Sequence, residues 1–383
     1  PAQGLAHLGD ISYSLYLVHW PLLAFAANAW VSPVPDWVRA GLVVTAVGLA
    51  WALYRWVEDP VRRAEIAVNR KSFFVTLGVS SCLVLAGFGV YFAESMVGRV
   101  DYTQVRRGNI GFNAACEYGD RFEPKPECRN SDAPQIMVWG DSNAMHLIEG
   151  IAASTKLGVV QATKTTCGPL VGISVFRAEG FYNRRWAEGC IRFNQSVLDY
   201  LSKTSSVDVV VFSSWFEQYL AGNSVIARVQ KDGLESPASF MDGIGNEDVA
   251  VKHLHATITA VRATGKRVVL VAPPPVSDFD VGRCLELKAN GKAVFGADTP
   301  SCEISEAKFR ARRAGVQALL DRVSREAEVA VVRLDEFLCH AGTCATERNG
   351  TFLYRDGGHL SVDGSRLLGI EIGLAGKILA AAR

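Results

Sequence analysis

An α/β domain built on a parallel sheet and preceded by three transmembrane helices is the fold class that this 383-residue sequence predicts. Three observations predict it. Apolar stretches cover 11–30, 38–57 and 73–93. From about residue 131 onward, apolar strand runs alternate with amphipathic helical patterns. Eight of the nine cysteines follow the last apolar stretch.

Taken in order, the stretches "ISYSLYLVHWPLLAFAANAW", "VRAGLVVTAVGLAWALYRWV" and "FFVTLGVSSCLVLAGFGVYFA" each approach the length of about 20 residues that crosses a hydrocarbon core as a helix. The second and third lack the polar face of a soluble helix. Between them, "EDPVRRAEIAVNRK" carries Arg62, Arg63, Arg70 and Lys71, whereas "VSPVPD" between the first two carries no base. That asymmetry puts the basic loop in the cytoplasm and everything after Glu94 outside the inner membrane. The expected division is therefore 1–93 as membrane helices, 94–131 as a periplasmic linker or extension, and 132–383 as the exported domain. The three spans read as the tail of a longer membrane domain. With 40 basic and 39 acidic residues, no electrostatic case exists for nucleic-acid binding.

Cys82 lies inside the third stretch, and the exported part holds Cys116, Cys128, Cys167, Cys190, Cys284, Cys302, Cys339 and Cys344. An even set in an oxidising compartment is what disulfides require. Sequence does not fix the connectivity, but nearest-neighbour pairing would close four modest loops. No close Cys-x-x-Cys or His-x-x-x-His pair points to zinc, so no metal is expected.

In the exported part "QIMVWG", "GVVQATK", "VDVVVFSSW", "KRVVLVAPPP" and "VAVVRLDEF" read as strands. The intervening helices run from about Asn143, through "RRWAEGCIRFNQSVLDYLSK", "NEDVAVKHLHATITAVRATG" and "EAKFRARRAGVQALLDRVSREAE", and from about Ser361 to the end. Such alternation gives a parallel sheet covered on both faces, with ligands at the carboxyl ends of its strands.

Two motifs carry chemistry. In "MVWGDSNAM", Ser142 falls where the first strand becomes the first helix. A serine there is either a helix cap or a nucleophile over backbone N–H groups and the positive end of a helix dipole. In "RDGGHLSVDG", Asp356 and His359 precede the last helix. Separately they read as a turn former and a surface histidine. Jointly with Ser142 they supply what a hydroxyl nucleophile needs: an imidazole to take its proton and a carboxylate to orient that imidazole. Gly140-x-Ser142-x-Ala144 approaches the α/β-hydrolase elbow, but a serine on the first strand and an acid three residues from its base fit that fold poorly.

These end blocks resemble those of the SGNH, or GDSL-like, hydrolases, whose first block carries Gly-Asp-Ser and whose last carries Asp-x-x-His. The resemblance covers 132–383 and implies a three-layer SGNH-hydrolase-like fold with Ser142 as nucleophile, His359 as general base and Asp356 as its orienter. It further implies an oxyanion hole of the Ser142 amide, a glycine N–H and an asparagine side chain. "KTTCGPL" offers Gly168 for the glycine, with Cys167 free to stiffen the loop through a bridge. Where the family has Gly-x-Asn-Asp, this chain has "FSSWFEQYL", leaving Ser213, Ser214, Trp215 and Gln218 as candidate donors or substrate contacts.

"GDISYSLYLVHWPLL" and "YRWVEDPVRR" resemble the last helices of the acyltransferase-3 family of integral membrane proteins, in the form fused to an exported SGNH domain. That resemblance implies O-acyl transfer, usually of acetyl, from cytoplasmic acetyl-CoA to an envelope glycan such as lipopolysaccharide O-antigen. The donor would come through the missing N-terminal membrane domain, in the bacterial inner membrane, with the SGNH domain in the periplasm and no cofactor held by this part. His19 is not taken as that family's membrane histidine, whose helix lies earlier. Two other readings share the residues: an acetyl-ester hydrolase with the same triad, and an idle module that binds glycan through Trp186 and Trp215.

Overall fold

The structure, a computed structural model, describes residues 9–59, 62, 78, 81–82, 85, 101–220, 222–229 and 239–383. The described chain divides into two compact units, Pro1–Tyr102 with Asn290–Ala297, and Thr103–Ala289 with Asp298–Arg383.

In the first unit, helix α1 (Ser12–Ala29) packs against α2 (Asp36–Leu53), which continues as a π-helical turn, Tyr54–Glu58. The Ser14 hydroxyl donates to Glu58 Oε2 at 2.6 Å. Trp20, Phe25, Val44 and Trp51 are left exposed. Of the three expected spans, only Asp36–Glu58 is long and apolar enough to cross a membrane among the described residues. In α1 the polar Ser12, Ser14, His19 and Asn28 dilute the apolar run, and the third stretch, 73–93, lies outside the described residues save for single positions.

The second unit is built on five parallel strands: β1 (Ile136–Gly140), β2 (Val159–Thr163), β4 (Val209–Ser213), β7 (Arg267–Val271) and β8 (Val331–Val332), in the order β2-β1-β4-β7-β8. Their runs of Val, Ile and aromatic residues suit a sheet buried on both faces. Met137, Trp139, Val160, Val210, Phe212 and Leu270 face one core, while Ile136, Val138, Val209, Val211 and Val269 alternate onto the other side. Each such side chain, removed from water, contributes roughly 1.5–3 kcal/mol.

Two helix groups complete three layers. One comprises α4 (Ile148–Ala153), α9 (Val362–Ile372) and α10 (Leu374–Ala381), and the other α5 (Arg184–Lys203), α6 (Glu247–Ala263) and α8 (Glu306–Glu326). Their starts are written in the sequence: Asn183, Asn246, Ser305 and Ser361 each accept a backbone N–H of the first turn. Gly373, in the left-handed region at φ +62, ends α9 and separates it from α10, so the single last helix expected from Ser361 is two.

Three further departures matter. The helix expected from Asn143 is one turn, α3 (Ser142–Met145), followed by α4. A three-stranded antiparallel sheet, not expected, joins β3 (Ile173–Val175), β5 (Ser224–Val229) and β6 (Ser239–Ile244). A short helix, α7 (Val281–Ala289), was also not foreseen.

All eight cysteines of the second unit pair with their nearest neighbours: 116 with 128, 167 with 190, 284 with 302 and 339 with 344. The first bridge closes a segment whose Tyr118 and Phe122 pack edge-on and against Phe193 of α5. Residues of the expected extension thus enter the core of the second unit.

Candidate active site

From β1 the chain crosses to β2 on one side and later returns to β4 on the other, so the strand order reverses at β1. A crevice opens there, at the carboxyl ends of β1 and β4. Gly140 allows the two ends to meet: its φ is +157, and a Cβ would collide with the Ser213 carbonyl oxygen. Asp141, next along, caps α3 by accepting Asn143 N at 2.9 Å. The capping role suggested by Ser142's position therefore falls to its neighbour, and the Ser142 hydroxyl faces elsewhere.

It faces His359. Ser142 Oγ lies 2.9 Å from His359 Nε2, and His359 Nδ1 lies 3.1 and 3.0 Å from Asp356 Oδ1 and Oδ2. Two residues 217 positions apart are brought into hydrogen-bond contact. The Gly-Gly turn also bends the Gly358 and His359 amides onto Asp356 Oδ1, at 2.9 and 2.8 Å. Arg355 Nε stands 3.4 Å from Oδ2, an ion-pair distance. Burial on its own would raise the Asp356 carboxyl. The bond and charge of His359, the Gly358 amide and Arg355 outweigh it, holding the group well below the usual carboxylate range.

The expected extension supplies the clamp on this loop. Arg106 donates to the Arg355 carbonyl at 3.1 Å and is itself fixed by Asp280 and Glu286 at 2.6 and 2.8 Å. Buried Asn109 donates to the carbonyls of His146, Leu360 and Ser361 at 3.2, 3.3 and 3.0 Å. It ties the end of α3 to the residues after His359. Neither residue carries a sequence signature, because a lone Arg or Asn in a linker-like stretch has no period or motif around it.

Behind the serine, Asp141 Oδ2 accepts from Ser214 Oγ (2.6 Å), Trp215 N (3.0 Å) and Gln218 Nε2 (3.2 Å). Ser214 and Gln218 are buried there and do not line the crevice; Ser213 is fully buried as well. Trp215 does line it. Gly168 does not: its N–H donates to Tyr219 Oη at 3.0 Å, and a Cβ on it would press on Tyr219 and Ser214. The Gly168 N–H expected to face an oxyanion is therefore already held by Tyr219. Thr165 and Thr166 border the crevice, Thr166 in the left-handed region at φ +58. The Cys167–Cys190 bridge and Asn194, which donates to the Gly168 and Leu170 carbonyls at 2.8 and 3.1 Å, hold that loop. The crevice encloses about 380 Å³, and Asn143, Val276, Arg312 and Arg313 complete its wall. Trp186 is placed away from it, its ring covered by the Lys164 ammonium at 3.6 Å.

A doubly wound sheet with a Ser–His–Asp array at its switch point defines a protein of the hydrolase-fold type. A family model described as "SGNH domain (fused to AT3 domains)" matches residues 115–372, and the chain belongs to that family. The match begins within the expected extension, in keeping with the packing of Cys116–Cys128 into the core. No curated protein matches the sequence. Among solved structures, the periplasmic domain of a lipopolysaccharide acetyltransferase from Salmonella ser. Paratyphi A is similar at 16% identity and a TM-score of 0.45, over 74% of this chain and 98% of that one.

Proposed function

We propose that this protein is an O-acyltransferase that esterifies a hydroxyl of a cell-envelope glycan through an acyl-Ser142 intermediate. The observation that carries the proposal is the unbroken chain from Ser142 Oγ through His359 to Asp356, within hydrogen-bond distance at each link. Membership of a family whose SGNH domains are fused to AT3 domains supports transfer over hydrolysis, because such a fusion couples the site to an acyl-delivering membrane part.

In the first step Ser142 Oγ attacks the carbonyl carbon of an acyl donor while His359 Nε2 takes the hydroxyl proton. Asp356 holds the Nδ1–H and offsets the imidazolium charge. The oxyanion falls to the Ser142 amide and to the backbone at Thr166, neither of which donates a hydrogen bond within the described residues. Collapse expels the donor's leaving group, which takes the proton from His359. In the second step a sugar hydroxyl gives its proton to His359 and attacks the ester carbonyl; collapse breaks the acyl–Oγ bond, His359 returns the proton to Ser142 Oγ, and an acylated glycan leaves. Water in place of the sugar gives the hydrolase reading. The four bridges and the apolar Asp36–Glu58 helix support a periplasmic domain tethered to the inner membrane; cytoplasmic acetyl-CoA is the proposed source of the acyl group.

The test uses the full chain in detergent with a chromogenic acetyl ester and oligosaccharides released from the host envelope, the products being weighed. Acetylated sugar that disappears in Ser142→Ala is expected. Free acetate alone would transfer the assignment to an esterase, and turnover undiminished in Ser142→Ala would remove the triad from the chemistry.

A further inference from the structure

Trp215 is at once partly exposed and closely held. It stands at the rim of the crevice with more than a third of its surface exposed (38%), yet four restraints fix its position. Its amide donates to Asp141 Oδ2 at 3.0 Å. Its indole N–H donates to Glu217 Oε2 at 3.0 Å. The same Glu217 oxygen accepts from Arg313 NH1 at 2.9 Å, and Arg313, only 4% exposed, cannot swing away. The next residue, Phe216, is buried in the left-handed region at φ +40, a costly conformation that a β-turn of ordinary residues avoids. A large ring held in place at the rim of a pocket beside a nucleophile offers its face to a bound molecule.

The rest of the wall says what it contacts. Trp215 and Val276 are the apolar side chains of the crevice; threonines, Asn143, two arginines and the triad make up most of the remainder. Such a lining offers a long acyl chain only two apolar side chains to pack against. One flat aromatic face surrounded by hydroxyl, amide and guanidinium groups matches a pyranose, whose C–H face stacks on a ring while its hydroxyls bond at the edge.

We infer that Trp215 is the wall of the acceptor-sugar subsite, and that Glu217 and Arg313 are positioning residues that hold its indole in register with Ser142. This rests on the reading of the site as acting on a glycan, and it assigns the sugar's place within it. Glu217 pins the indole, and buried Arg313, which stays a cation although desolvation pulls its guanidinium down to about 10, pins Glu217 at 2.9 Å.

The experiment measures binding without turnover, so that it does not depend on transfer. Full-length Ser142→Ala protein is titrated calorimetrically with polysaccharide fragments released by mild acid from the host envelope. Adding Trp215→Ala is expected to weaken Kd at least tenfold and Trp215→Phe about threefold, because the ring survives without its anchor. Adding Glu217→Ala is expected to weaken Kd about threefold, and Glu217→Gln, which keeps an acceptor for the indole, to restore it. Thermal melts of each variant identify misfolding, and Trp215→Phe carries the test should Trp215→Ala not fold. Fragments that fail to bind the Ser142→Ala protein, or that bind equally with and without the ring, overturn the subsite. Binding that depends on Trp215 in a protein that yields only acetate leaves the subsite standing and overturns transfer alone.

Discussion

Two aspartates serve Ser142 from opposite environments. Asp141, at the end of β1, is 1% exposed, and its two oxygens receive the Ser214 hydroxyl, the Trp215 amide, the Gln218 amide and both the backbone and side-chain nitrogens of Asn143. Asp356, ahead of α9, has a side chain 37% exposed and turns both oxygens toward an imidazole. The first carboxylate joins the ends of β1 and β4 and so shapes the crevice. The second is aimed at a group that gains charge during the reaction. A carboxylate surrounded by neutral donors organises backbone; one facing a base supports proton transfer.

The comparison is sharpest if the two acids are changed alike. Asp356→Asn is expected to lower kcat by about 10³–10⁴-fold, because the amide stabilises neither the required tautomer nor the cation, and to lower the melting temperature only modestly, since the amide oxygen still accepts the Gly358 and His359 amides while the charge pairing with His359 and Arg355 is lost. Stopped-flow or endpoint assay with a small acetyl ester, beside a thermal melt, checks both halves. A loss below tenfold would mean that His359 is oriented by something other than Asp356.

Asp141→Asn is expected to do the reverse in proportion. An amide NH₂ placed among five donors strands at least one of them, at about 1–3 kcal/mol each. The melting temperature should fall by several degrees, and activity should fall with it, through displacement of Trp215 and α3. Were Asp141→Asn to melt like the parent and still lose most of kcat, Asp141 would belong to the chemistry and the division drawn above would fail.

The same contrast explains what could be read from the sequence. Asp356 and His359 lie three residues apart in one turn, and Gly140-Asp141-Ser142 is contiguous, so each motif survives as a word; the long β runs and the strong helix "RRWAEGCIRFNQSVLDYLSK" are legible by period for the same reason. Nearest-neighbour cysteines pair because short loops close cheaply. Gly168 is legible as a glycine after the second strand, but which backbone N–H stays free is not, and its own is held by Tyr219. Asn109 and Arg106 act through carbonyls of distant residues, leaving no local trace. The antiparallel sheet was missed because its first strand is three residues long and pairs with one some fifty residues later.

The smallest expected effect comes from a third group behind the triad, and it tests whether the region under His359 is as rigid as that under Asp141. His146 is fully buried, and its ring lies 5.8 Å from that of His359. Among the described residues neither ring nitrogen has a hydrogen-bond partner. Burial, with His359 and Arg355 nearby, holds the imidazole well below its ordinary value of 6.5. The neutral form that results spares His359 a second positive charge as it takes the serine proton. Because the folded value is depressed, the unfolded chain binds the extra proton first as pH falls through about 6.5, and folding stability declines from there with a slope of up to about 1.4 kcal/mol per pH unit. His146→Gln is expected to flatten that decline between pH 6.5 and 5 in melts of the full chain while leaving the Ser142–His359 contact in place. An unchanged acid slope would show that His146 takes up its proton in the folded protein, which its dry surroundings oppose.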